Sequence, residues 1–257
     1  MEMIKYNIRE RIAYITLSRP EKRNALNAEM VSQLKDAFKK AENDSSVKIV
    51  VLNADGDVFC AGADLEYLQQ LQKNSYKENR EDSANLAELF NIIYTLKKVV
   101  IGEINGHSIA GGCGLATICD ISFAVPEANF GYTEVKIGFI PAIVLVFLLR
   151  KTGEGKTKEL LLSGNLINAQ TAKEYGLINF IVAKENLSKE VYQYASKLCD
   201  ENSGKSMELT KTMIAAVQEK NTNDALNYAV TMNAGARGTE DCKKGIDAFL
   251  KKQKMKW

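Results

Sequence analysis

The stretch GHSIAGGCGLATICD, residues 106–120, decides the fold and supplies the centre of the candidate site. Glycine occupies positions 111, 112 and 114, and the stretch comes directly after the apolar run VVIGEI. Residues without bulky side chains let backbone N–H groups face a ligand at close range. The pattern predicts a buried strand, a tight turn and a helix, with the backbone of the turn approaching a ligand.

A second loop, CAGADL at Cys60–Leu65, has the same form. Two backbone N–H groups aimed at one oxygen make an oxyanion hole, in which each donor lowers a barrier by about 3–4 kcal/mol. A helix that begins behind such a loop adds favourable partial charge. Glu134 follows about twenty residues after the glycine turn, where a carboxylate suits proton transfer next to a polarised carbonyl.

Hydrophobic periodicity predicts the elements around these loops. MIKYNIRERIAYITL is typical of two paired strands, VKIVVLN and DISFAV of buried strands, and LINFIV of a last short strand. A helix capped by Asn27 and a second helix over about residues 83–98 each have one apolar face. After about residue 186 the pattern is helical. We therefore expect an α/β fold with a helical C-terminal region.

Composition narrows the function classes. The 257 residues are 46% hydrophobic and 26% charged, as in globular proteins, and a net charge of +2 gives no reason to expect a nucleic-acid partner. The longest apolar segment, FIPAIVLVFLLR, is too short to span a bilayer, and the N-terminus lacks a signal-peptide pattern. Five cysteines without a CxxC pair indicate reduced thiols and a cytoplasmic location.

The single histidine, His107, excludes a zinc site built from imidazoles, so we expect no metal and acid–base chemistry by carboxylates. His107 itself is expected to bond backbone at the turn, and Asp120 to satisfy buried backbone. KTGEGKT lacks the first glycine of a phosphate-binding loop, because Arg150 stands there, and it predicts an ordinary helix start. GGCGLAT has Thr117 where a dinucleotide fingerprint needs glycine, which argues against a nicotinamide cofactor.

Taken together, the motifs resemble the crotonase superfamily, also called the enoyl-CoA hydratase/isomerase superfamily, over essentially the whole chain. The segments that carry the resemblance stand in the family's order and spacing: ITLSRPEKRNALN, FCAGADL, INGHSIAGGCGLATICD, FGYTEVKIGFIP, LSGNLINAQTAKEYGLIN and GIDAFLKKQKMKW. The resemblance implies a ββα spiral core over residues 1–185 and a helical region over residues 186–257 that builds homotrimers or hexamers. It implies an acyl-CoA thioester substrate, with CoA as part of the substrate and no separate cofactor.

The resemblance also implies site residues. The oxyanion hole maps onto the backbone N–H groups of Ala63 and Gly111, and the acid–base carboxylate onto Glu134. The positions that match the family's CoA contacts are Lys22, Arg23, Ala25, Ala61, Asp64 and Leu65, while Phe249 and Lys252 match positions that reach the CoA of a neighbouring subunit. One position departs from the pattern: the first of the two glutamates of the usual hydratases falls on Gly114.

This departure leaves several hypotheses open. The first is a lyase that hydrates a 2-enoyl-CoA in fatty-acid or leucine degradation, with Glu134 delivering the proton to C2; TEVKIGFIPA resembles methylglutaconyl-CoA hydratase-like members. The second is a Δ3-Δ2-enoyl-CoA isomerase that uses Glu134 alone. A decarboxylase or thioesterase, and a non-catalytic CoA-binding protein, are further alternatives.

Overall fold

The computed structural model describes residues 2–257. Its strands are β1 (Ile4–Arg9), β2 (Ile12–Leu17), β3 (Ile49–Ala54), β4 (Val58–Cys60), β5 (Val99–Ile104), β6 (His107–Ile109), β7 (Ile121–Ala124), β8 (Asn129–Gly131), β9 (Ile167–Asn168) and β10 (Phe180–Ile181). Its helices are α1 (Ala28–Asn43), α2 (Leu65–Leu71), α3 (Tyr76–Thr95), α4 (Gly111–Ile118), α5 (Ala142–Ser163), α6 (Ala169–Glu174), α7 (Leu187–Glu201), α8 (Gly204–Val217), α9 (Thr222–Arg237) and α10 (Glu240–Leu250).

The strands form two sheets. The larger sheet has the order β1-β2-β3-β5-β7-β10, in which β1 and β2 form an antiparallel hairpin and the other neighbours are parallel. The smaller sheet has the order β4-β6-β8-β9, in which β4, β6 and β8 run parallel and β9 is antiparallel to β8. Parallel pairing demands crossover connections, and helices α1, α3 and α4 supply them.

Helix α1 has the N-cap and the apolar face that the hydrophobic periodicity of its sequence predicts. The Asn27 side chain accepts a hydrogen bond from the Met30 backbone N–H at 2.9 Å, as an N-cap does. Its apolar face is buried against the larger sheet and α3 through Met30, Val31, Leu34, Ala37, Phe38 and Ala41. The predicted hairpin, buried strands and capped helix are confirmed.

Two boundaries differ from expectation. The helix predicted over residues 83–98 starts at Tyr76, because Ser75 and Glu78 form a capping box that the apolar pattern does not reveal. It ends at Thr95, before β5. The KTGEGKT segment lies inside α5, where Gly153, with φ 76° and ψ 170°, interrupts the helix before it continues.

The C-terminal part of the chain is helical, as predicted. From Leu187 onward the elements are α7, α8, α9 and α10, and the division predicted between residues 185 and 186 falls just before the first of them. All five cysteines are free thiols. No helix within residues 2–257 has the length and apolar character needed to cross a membrane.

Candidate active site

The parallel strands of the smaller sheet bring the three predicted catalytic groups to one edge. Cys60 of β4 pairs with Ser108 of β6, and Ile109 of β6 pairs with Gly131 of β8. Since parallel strands end at the same edge of a sheet, the loops that follow them meet there. Those loops carry Ala63, Gly111 and Glu134, respectively.

The backbone hydrogen bonds around Ala63 do not use its N–H group. The Leu26 N–H donates to the Gly62 carbonyl at 2.7 Å, and the Asp64 N–H donates to the Leu26 carbonyl at 2.8 Å. The Ala63 N–H lies between these two bonds and has no acceptor among residues 2–257. Ala63 is exposed, so a ligand can approach this part of the loop.

Gly62 explains how closely the two loops approach each other. Its φ of +89° lies in the left-handed region, and a β-carbon there would lie 2.9 Å from the Ala110 Cβ and 3.6 Å from the Gly111 nitrogen. Only glycine fits this conformation and this gap. The consequence is that the Ala63 and Gly111 amides belong to adjoining loops.

Gly111 is the first residue of α4, and its N–H has no acceptor in the described part of the chain. The first N–H groups of any helix lack intrahelical partners and carry partial positive charge. The preceding residue, Ala110, is held at φ 50°, a strained conformation for a residue with a side chain, while its N–H donates to the Gly131 carbonyl at 2.7 Å. Strain of this kind is typical of a functional turn.

Glu134 begins a short 3-10 turn, residues 134–137, which two residues separate from the end of β8. The side chain is partly buried, and its Oε2 atom is enclosed without a hydrogen-bond partner among residues 2–257. Burial raises the pKa of Glu134 above the usual value of 4.5. An unpartnered carboxyl oxygen with a raised pKa is suited to exchanging a proton with a bound substrate.

No carboxylate can stand at position 114 in this packing. Gly114 is buried, and a β-carbon there would lie 2.4 Å from Val144 Cγ1 and 2.9 Å from the ring of Phe90. The space that a side chain would occupy is filled by these two apolar groups from α5 and α3. Sequence reasoning identified the missing glutamate but not the residues that replace it.

The predicted CoA-contact positions on the first half of the chain lie together. The Ala61 N–H donates to the Arg23 carbonyl at 3.0 Å, which joins the segment before α1 to the loop after β4. Lys22 is exposed and pairs with Glu66 at 2.6 Å. Leu65 is 77% exposed at the start of α2.

Asp64 has a structural task in addition to any contact with CoA. It caps α2 by accepting from the Glu66 and Tyr67 N–H groups, and it pairs with Arg19 at 2.6 Å. Burial by itself raises the pKa of Asp64, but the Arg19 hydrogen bond and the two N–H donors outweigh it and hold the pKa below its usual value. Sequence reasoning missed Arg19, which no local pattern distinguishes from a solvated arginine.

Phe249 and Lys252 lie far along the chain from these loops, whereas His107 and Asp120 flank the turn and helix that contain Gly111. Phe249 is exposed on α10, which packs on α8 and α9, and Lys252 follows that helix; their contact with a neighbouring subunit stays a prediction. His107 is exposed, and its Nδ1 accepts from the Asn129 N–H at 3.1 Å, in agreement with the expected backbone role. Asp120 Oδ2 accepts from the Val100 N–H at 2.7 Å, also as expected.

Two residues that the sequence did not single out surround α4. Tyr132 is fully buried and meets Thr117, and Lys151 reaches the C-terminal end of the helix. Tyr132 stands two residues before Glu134, which was the only available signal. Across residues 2–257, no group of three or more His, Cys, Asp or Glu side chains is arranged to hold a metal ion.

Comparison with known proteins decides the family. The family model described as "Enoyl-CoA hydratase/isomerase" matches residues 7–257. The chain belongs to the enoyl-CoA hydratase/isomerase family. Its predicted membership of the crotonase superfamily and its predicted fold class are thereby confirmed.

Relatives in this family cover nearly the whole chain. A putative enoyl-CoA hydratase of Thermus thermophilus is 40% identical over 242 residues, 94% of this chain and 95% of that protein. A crotonyl-CoA hydratase of Syntrophomonas wolfei is 35% identical over 251 residues, 95% of this chain and 94% of that protein. The crystal structure of an enoyl-CoA hydratase from Mycobacterium smegmatis superposes with a TM-score of 0.94 at 29% identity, covering 100% of this chain and 99% of that one. Membership of the enoyl-CoA hydratase/isomerase family supports an enzyme that acts on an acyl-CoA.

Proposed function

We propose that the protein is a lyase that hydrates a 2-enoyl-CoA thioester. In this reaction the water oxygen bonds to C3, the C2–C3 double bond becomes single, and the proton taken from water is delivered to C2 by Glu134. The observation that carries the proposal is the unpartnered, enclosed Oε2 of Glu134, on the loop that adjoins two free backbone N–H groups. The relatives from Thermus thermophilus and Syntrophomonas wolfei carry hydratase names, which supports hydration as the reaction.

In this proposal the Ala63 and Gly111 N–H groups hold the thioester oxygen. Addition of water at C3 pushes electrons onto that oxygen, which becomes an enolate before C2 receives its proton. Two preorganised donors bind the enolate more tightly than the neutral thioester and so lower the barrier. The position of Gly111 at the start of α4 adds the partial positive charge of a helix N-terminus.

CoA is proposed to bind along the joined segments 22–25 and 61–65. The exposed Leu65 would cover apolar parts of the pantetheine arm, and Lys22 would exchange its exposed Glu66 partner for phosphate. An exposed ion pair is worth little in free energy, so this exchange costs little. The substrate brings CoA with it, and the proposed chemistry needs no other cofactor.

The second candidate reaction is Δ3-Δ2-enoyl-CoA isomerisation. It is favoured by the packing at Gly114, where Val144 and Phe90 leave no room for a second carboxylate. Glu134 would take a proton from C2 and return it to C4 while the enolate forms and collapses. This reaction needs one carboxylate and no held water, which matches the groups present.

Three substrates separate these candidates: crotonyl-CoA, a 3-enoyl-CoA and 3-methylglutaconyl-CoA, the last as a test of the finer proposal of leucine degradation. Loss of the enoyl absorbance with crotonyl-CoA or 3-methylglutaconyl-CoA supports the hydratase. Gain of that absorbance with the 3-enoyl-CoA, without loss from either of the others, supports the isomerase and overturns the lyase.

Glu134→Gln tests the mechanism that both candidates share. The variant keeps the size of the side chain but cannot carry the proton, so we expect turnover to fall by about a hundredfold or more. Glu127→Gln, at an exposed glutamate before β8, is the matched control and should keep full activity. A fully active Glu134→Gln enzyme would exclude Glu134 as the proton carrier.

We further propose a homotrimer, or a hexamer of two trimers, built by the C-terminal helices. The proposal is supported by large apolar side chains that α9 and α10 leave exposed, among them Leu226, Val230 and Ile246. Sedimentation equilibrium measures the mass directly, and a monomer at micromolar concentration would contradict it.

A further inference from the structure

The C-terminal end of α4 is held by a lysine from another helix. Lys151 of α5 donates hydrogen bonds from its Nζ to the Thr117 carbonyl at 2.6 Å and to the Cys119 carbonyl at 2.8 Å. These carbonyls belong to the group that no helix can satisfy internally at its C-terminal end. Helix α4 therefore carries an ammonium group at one end and the free Gly111 N–H at the other.

The charge of Lys151 is not cancelled by a contacting carboxylate. Its acceptors among residues 2–257 are the two carbonyl oxygens alone. The neighbouring acid, Asp120, is occupied by Lys211 of α8 at 2.7 Å and by the Val100 N–H. The thiols of Cys113 and Cys119 near Lys151 are neutral, because burial raises the pKa of each to about 12.

We propose that Lys151 is a positioning residue for the oxyanion hole: it fixes α4 from its C-terminal end, so that the Gly111 N–H points at the thioester oxygen, and its charge favours the enolate. The inference rests on the proposed function in one respect, the assignment of the Gly111 N–H to the oxyanion. In this proposal Lys151 acts without contacting the substrate, because its Nζ binds the end of α4 opposite Gly111. Its effect reaches the reaction through the helix and through the electric field along it.

The size of the expected effect follows from the length of α4. The helix has eight residues, and at 1.5 Å per residue its ends are about 12 Å apart. At an effective dielectric constant of about 20, a unit charge at about that distance favours an anion by about five- to tenfold. Because the charge acts on the enolate and not on neutral substrate, it should alter kcat and leave KM unchanged.

Lys98 provides a matched control. Its Nζ donates to the Ala41 and Asp44 carbonyls at the C-terminal end of α1, as Lys151 does at α4. Both side chains are partly buried, and burial lowers the pKa of both ammonium groups. Helix α1 carries none of the proposed oxyanion donors. Removal of either lysine should cost similar stability, while only Lys151 should affect the enolate.

The test measures enolate formation directly, by the exchange of the C2 protons of butyryl-CoA with deuterium from D2O, followed by NMR. We expect Lys151→Met to exchange about five- to tenfold more slowly than the native enzyme, with unchanged KM. We expect Lys98→Met to exchange at the native rate. Equal rates for native enzyme and Lys151→Met, or an equal fall in Lys98→Met, would overturn the inference.

Lys151→Arg supplies a second, independent measurement if the Met variant does not fold. Arginine keeps its charge at every accessible pH, whereas the buried Lys151 loses its proton below the usual range for lysine. Lys211 and Asp120 are common to both proteins and cancel in the comparison. Since burial lowers the pKa of Lys151, we expect native exchange to weaken relative to the Arg variant at a pH below the usual range for lysine; parallel profiles would overturn the inference.

The same experiment separates this inference from the proposed function. If the native enzyme exchanges no C2 proton of any acyl-CoA, the proposed enolate chemistry fails. If the native enzyme exchanges and Lys151→Met does so equally well, the enolate chemistry stands and only the role of Lys151 fails.

Discussion

The hydroxyl of Tyr132 lies 2.9 Å from the hydroxyl of Thr117, and neither residue is more than 3% exposed. Tyr132 precedes Glu134 by two residues, and Thr117 belongs to the last turn of α4. The bond therefore joins the segment that carries the proposed proton carrier to the helix that carries a proposed oxyanion donor. The Cys113 thiol contacts the same tyrosine hydroxyl.

Tyr132→Phe should loosen this connection. Removing the hydroxyl takes one hydrogen-bond partner from the buried Thr117 hydroxyl, so we expect a loss of about 1 kcal/mol in the free energy of unfolding and a Tm lower by about 2–4 °C. Turnover should fall by a few-fold with little change in KM. Tyr6→Phe is the control, because the Tyr6 hydroxyl has no partner to lose within residues 2–257. Equal Tm changes in the two variants would contradict the argument.

The pKa of Glu134 makes stability depend on pH in a definite direction. Burial raises that pKa in the folded protein above 4.5. Between the unfolded and the folded pKa the folded state binds more protons, so the free energy of unfolding falls as pH rises through this window. Glutamine cannot ionise. Glu134→Gln should match the native Tm below about pH 4 and exceed it at neutral pH, as calorimetry would measure. A Tm difference that does not grow with pH would disagree with the burial of the carboxylate.

Gly111 allows the N–H to be removed without removing the helix. Proline is tolerated at the first position of a helix, where the N–H has no helical partner, so Gly111→Pro deletes a donor while α4 persists. We expect turnover to fall by about a hundred- to a thousandfold. Gly111→Ala keeps the N–H, and its β-carbon would lie 3.5 Å from Leu26 Cδ1, an ordinary contact.

The alanine variant and Cys113→Ala should therefore stay within a few-fold of native turnover. Circular dichroism checks that all three variants are folded. If Gly111→Pro and Cys113→Ala had equal effects on a folded enzyme, the oxyanion assignment would be lost.

Gly114→Glu should not restore a two-glutamate hydratase. The new side chain would collide with Val144 and Phe90 and bring a carboxylate into an apolar space, so we expect lower stability and no gain in crotonyl-CoA hydration. Gly155→Glu is the control: Gly155 is exposed and has open space at its β-carbon position. A stable Gly114→Glu enzyme with faster hydration would show that Val144 and Phe90 can move to admit the carboxylate.

Short-range sequence patterns were sufficient to predict most of the strands and helices. The apolar runs predicted the central strands, and Asn27 predicted the start of α1. That the two glycine loops approach a ligand stays a prediction. These features depend on residues close in the chain, since strand and helix periods and caps are short-range effects. The capping box at Ser75 is also local, but it lies in a polar segment without a clear apolar face.

The sequence by itself determined the α/β class, the family, the candidate oxyanion amides and the single glutamate, because each is written in a contiguous motif. Only the tertiary structure decided what surrounds them. Phe90 and Val144 come from two other helices to fill the space beside Gly114, Tyr132 meets Thr117 across 15 residues, and Lys151 reaches α4 from α5. Close packing of distant segments sets these contacts, and no local pattern of residues records which side chains a fold will bring together.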